Sequence, residues 1–197
     1  AALYPIPEHR ACGDIDWYFP TPGDWEKANA IAKKNGMELE MDSDGDVHYT
    51  FANVVVEHHH EGRRQDSPVD VIVMLVEHVL HHAMVMGVGM KQVADVAAAY
   101  NFYEGKYDKA ELDSVLKDEG LFEWDRLLRK VIPQVDEPDV KVLTDLILSD
   151  GNFGLDKVFR MSGFWKRWRL FRKYAPTQFS ARWSQLFVGR LKRCFTR

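Results

Sequence analysis

Asp14 and Asp16 stand one residue apart in Gly13-Asp14-Ile15-Asp16-Trp17-Tyr18-Phe19, a run whose other residues suit a buried β-strand. Strand side chains alternate faces, so the two carboxylates point the same way, about 7 Å apart, with Ile15 on the opposite side. Like charges placed side by side on a strand are unfavourable unless something positive lies between them. A divalent cation meets that need. Mg²⁺ favours one or two carboxylates plus substrate phosphates over an all-protein cage. The pair therefore predicts Mg²⁺ (or Mn²⁺) and a phosphate-bearing ligand. Glu57 ends a second apolar run, Val54-Val55-Val56, expected to pair near the first strand. Three carboxylates from two adjacent strands can hold two such ions, which neutralise a triphosphate, activate an attacking oxygen and stabilise leaving pyrophosphate. A solvated strand edge is the plain alternative.

Histidines form the second constellation. By strict alternation His59 shares a face with Glu57, and His58 and His60 share the other. Glu77, His78, His81 and His82 make a polar stripe on an otherwise apolar helix. His78 and His82, at i and i+4, have transition-metal spacing; a stripe lining a cleft, or a solvated face, is the competing reading. Lys91 and Asp95, one turn apart, suit a helix-surface pair and are weaker candidates for a cleft. Arg10 precedes the Asp pair and can either meet a phosphate bidentately or form a salt bridge to the acidic surface. Asp42-x-Asp44-x-Asp46 departs from a Ca²⁺ loop, with Val47 at its sixth position and Asn53 at its twelfth. It reads as a charged hairpin tip.

Positioning these groups falls to two kinds of segment. After the first strand, Thr21 or Asp24 is a plausible cap for a helix over 24–35, closed by Gly36. Strands over 37–41 and 47–52 flank a hairpin signal at Gly45, and Val54–His59 makes a further strand. From Pro68 the pattern is helical: 69–86, 90–103, 108–119, 121–132, 139–149, and basic-aromatic helices near 163–174 and 177–193, separated by Gly and Pro breakers. The expected fold class is α+β, a small mixed-sheet α/β module over 1–66 followed by a helical module over 67–197.

Composition bounds the function. Hydrophobic residues make up 46% of the 197, with six Trp and eleven Phe, which excludes a disordered chain. No apolar run reaches transmembrane length, and no signal peptide opens the sequence. Two cysteines, Cys12 and Cys194, give no disulfide framework, so a cytoplasmic setting is expected. All thirty acidic residues lie at or before Asp156, whereas residues 157–197 carry twelve Lys and Arg and no acid. That segment either docks on the acidic body or offers a basic surface to nucleic acid or membrane.

Leu3-Tyr4-Pro5-x-Pro7-x-x-Arg10-x-x-Gly13-Asp14-Ile15-Asp16 resembles the core of the uncharacterised nucleotidyltransferase-like proteins of the DNA polymerase beta-type superfamily. Val55-Val56-Glu57-His58 is similar to the position of that superfamily's third carboxylate. Glu77-His78-x-x-His81-His82, then Met90-Lys91-Gln92-Val93-Ala94-Asp95-Val96, and Gly120-Leu121-Phe122-Glu123-Trp124 also fit. The resemblance spans most of residues 3–130 and is most specific around 4–16. It implies a nucleotidyltransferase-like α/β module, Asp14, Asp16 and Glu57 as metal ligands and catalytic carboxylates, and an NTP as substrate, with the acceptor hydroxyl unspecified. Gly13 and Arg10 are the candidates for nucleotide binding, and His59, His78, His82, Lys91 and Asp95 are candidates to line a cleft. One element of the pattern is missing. The superfamily holds the triphosphate on a Gly-Gly or Gly-Ser turn before the Asp pair, and residues 1–13 contain none. Either the chain is cut just after that turn, which the helix-end character of Ala1-Ala2-Leu3-Tyr4 favours, or it lacks one and binds without catalysis.

Overall fold

The computed structural model describes residues 2–10, 13–19, 21–41, 45–60, 66–85, 87–150 and 161–180. The chain is a mixed α+β protein that divides into two compact units, Ala1–Arg64 and Gln65–Arg197.

The first unit holds a four-stranded mixed sheet of order β1-β4-β3-β2. The strands are β1 (Asp14–Tyr18), β2 (Glu40–Met41), β3 (Val47–Phe51) and β4 (Val54–His59). β1 runs parallel to β4, with Asp14 opposite Val55 and Asp16 opposite Glu57. β2–β3 and β3–β4 are antiparallel hairpins. The second turns on Ala52-Asn53 alone, both at positive φ (49° and 66°). Two left-handed residues between strands are the signature of a type I′ turn, whose twist matches that of the flanking strands. Helix α1 (Pro22–Lys34) packs against β4. Thr21 caps it by accepting from the Asp24 amide, and Gly36 at φ 81° ends it, with Met37 N–H donating to Ala32 O. The α1 side of the sheet holds the small core: Ala32, Val47, Val56 and His58.

One expectation fails here. β1 is not a buried strand: all five residues are exposed, Trp17 at 55%. The run is apolar enough for a core, but among the described residues it forms the edge of the sheet, with β4 as its neighbouring strand. The strand expected over 37–41 shrinks to Glu40–Met41.

The second unit is helical: α2 (Pro68–Val85), α3 (Met90–Phe102), α4 (Lys109–Asp118), α5 (Phe122–Leu128), α6 (Pro138–Asp150) and α7 (Met161–Tyr174), followed by helical residues 176–180. The central helix α2 buries Ile72, Val73, Val76, Val79, Leu80 and Ala83, and it meets α3, α4, α5 and α7. Trp124 of α5 is fully buried and donates its indole N–H to Val76 O at 3.2 Å. α5 ends at Leu128, four residues short of the expected 132. Pro133 disfavours helix in the residue before it, and the chain leaves through turns with Gln134 at φ 52°. The remainder of the helix expected over 177–193 lies outside the described residues.

Candidate metal centre

Parallel pairing of β1 with β4 decides which side chains meet. Register partners point to the same face of a sheet, so Asp14, Asp16 and Tyr18 share a face with Val55, Glu57 and His59. His48 of β3, opposite Glu57, joins them. On that face one ligand atom each from Asp16, Glu57 and His59 lies within 4.8 Å of the others. His59 Nε2 is 3.0 Å from Asp16 Oδ1 and 3.6 Å from Glu57 Oε2. Its other nitrogen, Nδ1, is 2.7 Å from Asp46 Oδ2. Tyr18 stacks on the imidazole, ring centres 4.6 Å apart.

Charge on this face is tightly coupled. Burial works against a protonated His59, but hydrogen bonds to Asp16 and Asp46, and the charges of both, raise its pKa to about 9. Burial also opposes ionisation of Asp46, yet His59 and His60 hold its carboxyl below the usual value. Glu57 moves the other way: burial, then the charges of Asp16 and Asp14, push its carboxyl up. The positive group that two carboxylates on one strand require is thus present in the protein itself, as the His59 imidazolium.

Two carboxylates and an imidazole are a donor set that a divalent cation can use. Ligands on opposite sides of Mg²⁺ are about 4.2 Å apart at its 2.0–2.1 Å bond length, so groups enclosed by a 4.8 Å limit would draw inward to share one ion. Asp16 is exposed and Glu57 half-buried, which leaves room for the waters that Mg²⁺ retains. Metal must displace the proton on His59 Nε2 or turn that ring aside. Asp14 lies one pleat away on the same face, outside the three-group cluster.

The other sequence candidates scatter. Gly13 is exposed and Arg10 half-buried, just before β1. His78 and His82 lie on α2 in the helical unit, half-buried, ring centres 4.3 Å apart. The reading of Lys91 and Asp95 as a surface pair is corrected: Asp95 is buried on α3 and Lys91 half-buried. His60 departs from the expected pairing with His58. It lies just past the end of β4, where its Nδ1 is 2.9 Å from Asp46 Oδ1. His58 is structural: it is buried, its Nδ1 is 2.7 Å from Asn29 Oδ1 and its Nε2 is 3.3 Å from Tyr49 Oη. Asp46, which the sequence places in a charged hairpin tip, and His59, a cleft-lining candidate there, are instead bonded to each other in the cluster. The two-residue spacing of Glu57 and His59 was the available signal. Asp42 and Asp44 lie outside the described residues.

Fold and site together define an α+β protein with a carboxylate–histidine cluster on one face of a small mixed sheet. No family model matches the chain, and no curated protein or solved structure is significantly similar to it. No helix among the described residues is long and apolar enough to cross a membrane.

Proposed function

We propose that the chain is a metal-dependent nucleotidyltransferase of the DNA polymerase beta type, moving a nucleoside monophosphate from an NTP to an acceptor hydroxyl. The observation that carries this reading is the register Asp16–Glu57 across parallel β1 and β4, with Asp14 on the same face. Asp16 and Glu57 hold Mg²⁺ (or Mn²⁺), with Asp14 adjoining. The ion would neutralise the triphosphate and act as Lewis acid at the transferred phosphoryl group. Burial and the charges of Asp16 and Asp14 push the Glu57 carboxyl up, which makes it a better proton acceptor for an attacking hydroxyl. Arg10 and Gly13, leading into β1, are assigned to the phosphates.

Mn²⁺ binding followed by paramagnetic relaxation, then label transfer from each α-labelled NTP, tests the proposal. Asp16→Asn should weaken Mn²⁺ binding at least tenfold and abolish transfer. Equal binding by wild type and variant, with no transfer by either, would overturn the reading.

A second reading, a binding-only module of the same fold, draws on one observation: His59 already neutralises the carboxylate pair. It requires NTP binding without pyrophosphate release in the same assay.

A further inference from the structure

We infer that the outer face of α7 is a docking surface for single-stranded nucleic acid. The helix is anchored by its inner face. Leu170 and Phe171 are buried, and Phe171 meets Trp124 edge-on. Arg167 is buried as well: its Nη2 is 2.5 Å from Asp150 Oδ1, and its Nη1 donates to Ala83 O at 2.9 Å. Outside lie Trp165, Lys166, Arg169, Arg172 and Lys173, all exposed. Lys173 is committed to Asp139, and Arg172 lies over the Trp168 ring at 5.0 Å. Among the described residues Lys166 and Arg169 form no ion pair with an acid. Beyond them the sequence adds Arg182, Arg190, Lys192, Arg193 and Arg197 without one acid. Asp139 is a local counter-charge, paired with Lys173 and within the field of Arg169, but Lys166, Arg169, Arg172 and Lys173 outnumber it, and a face with excess positive charge is complementary to a polyanion.

Two observations choose nucleic acid over a lipid surface. An interfacial helix needs its apolar face free to enter the acyl boundary, and that face of α7 is already used in the core. Trp165, a large apolar side chain at 59% exposure whose ring meets Trp168 edge-on with centres 6.1 Å apart, suits a base stacked beside a cationic track. From Lys166 to Lys173 the helix rises about 10 Å, along which Lys166, Arg169 and Arg172 offer three cations to the phosphates of one strand.

Fluorescence anisotropy of the full chain with a labelled oligouridylate 12-mer, across a salt series, tests this inference. Three phosphate contacts give a slope of about −2 in log K against log salt, since each contributes roughly −0.7 on single strands. The variant Lys166→Glu/Arg169→Glu/Arg172→Glu should bind at least tenfold more weakly with a flatter slope, and Trp165→Ala should lose roughly 5- to 150-fold. Circular dichroism confirms that the variants are folded, which the exposure of the substituted positions favours. Unchanged affinity in the folded triple variant overturns the assignment. So does binding to phosphatidylserine vesicles without binding to the oligonucleotide.

Discussion

His59 bears on the charge problem that the Asp14/Asp16 pair raises. Its Nε2 is 3.0 Å from Asp16 and its Nδ1 2.7 Å from Asp46, so both ring nitrogens carry protons in the metal-free protein. The acids and bases around it are Asp16 from β1, Glu57 on its own strand, His48 from β3, and Asp46 and His60 at the strand ends. Its folded pKa of about 9 lies above the unfolded value of 6.5. The interaction therefore stabilises fully below pH 6.5 and is lost as pH rises through 9, a contribution of at most about 3 kcal/mol. An NMR titration of the His59 ring protons in EDTA should show a midpoint near 9, and Asp46→Asn should lower it. A wild-type midpoint near 6.5 would remove the imidazolium from this account. Metal competes with that proton, so Mn²⁺ affinity should rise with pH over the same interval.

At the scale of elements, local patterns were legible and long-range ones were not. Asp-Gly before a strand announced the β2–β3 hairpin, and Thr21 and Gly36 bounded α1 as their chemistry requires. The β3–β4 turn carries no such signal, since Ala52 occupies a left-handed conformation that Gly or Asn adopts more easily. The exposure of β1 was illegible because alternation fixes which residues share a face but not which strand ends the sheet. That follows from the β1–β4 pairing, across about forty residues of chain. The clamp on α7 was equally hidden: Asp150 accepts from both Arg167 and the Val88 amide at 3.0 Å, joining the end of α6, the α2–α3 connection and α7. Arg167 Nε is buried without a partner, so this ion pair already carries an unmet desolvation cost. Removing one member leaves the other charge buried alone. Asp150→Ala should cost about 3–5 kcal/mol by denaturant unfolding, whereas Asp136→Ala, which removes a pair with Lys141 that is exposed on both sides, should cost less than about 1 kcal/mol. Similar losses in the two variants would mean that the clamp does not hold α7.

On the scale of the whole molecule, the two units differ sharply in core. Among the described residues three buried hydrophobic side chains belong to the first unit and twenty-six to the second. Burial supplies roughly 1.5–3 kcal/mol per large apolar side chain, so the sheet unit is the weaker of the two and opens first. The carboxylate–histidine cluster lies entirely within it. A cation that binds only the folded sheet stabilises that unit by about 2.7 kcal/mol at one hundred times its dissociation constant. Amide exchange followed by mass spectrometry on the full chain reads each unit separately. Without metal, peptides covering β3 and β4 should exchange well before those covering α2 and α6. Saturating Mn²⁺ should slow the sheet peptides roughly a hundredfold and leave the helical ones unchanged, and Asp16→Asn should abolish the difference. Equal slowing in both units, or slowing that survives the substitution, would place the bound metal elsewhere than between β1 and β4.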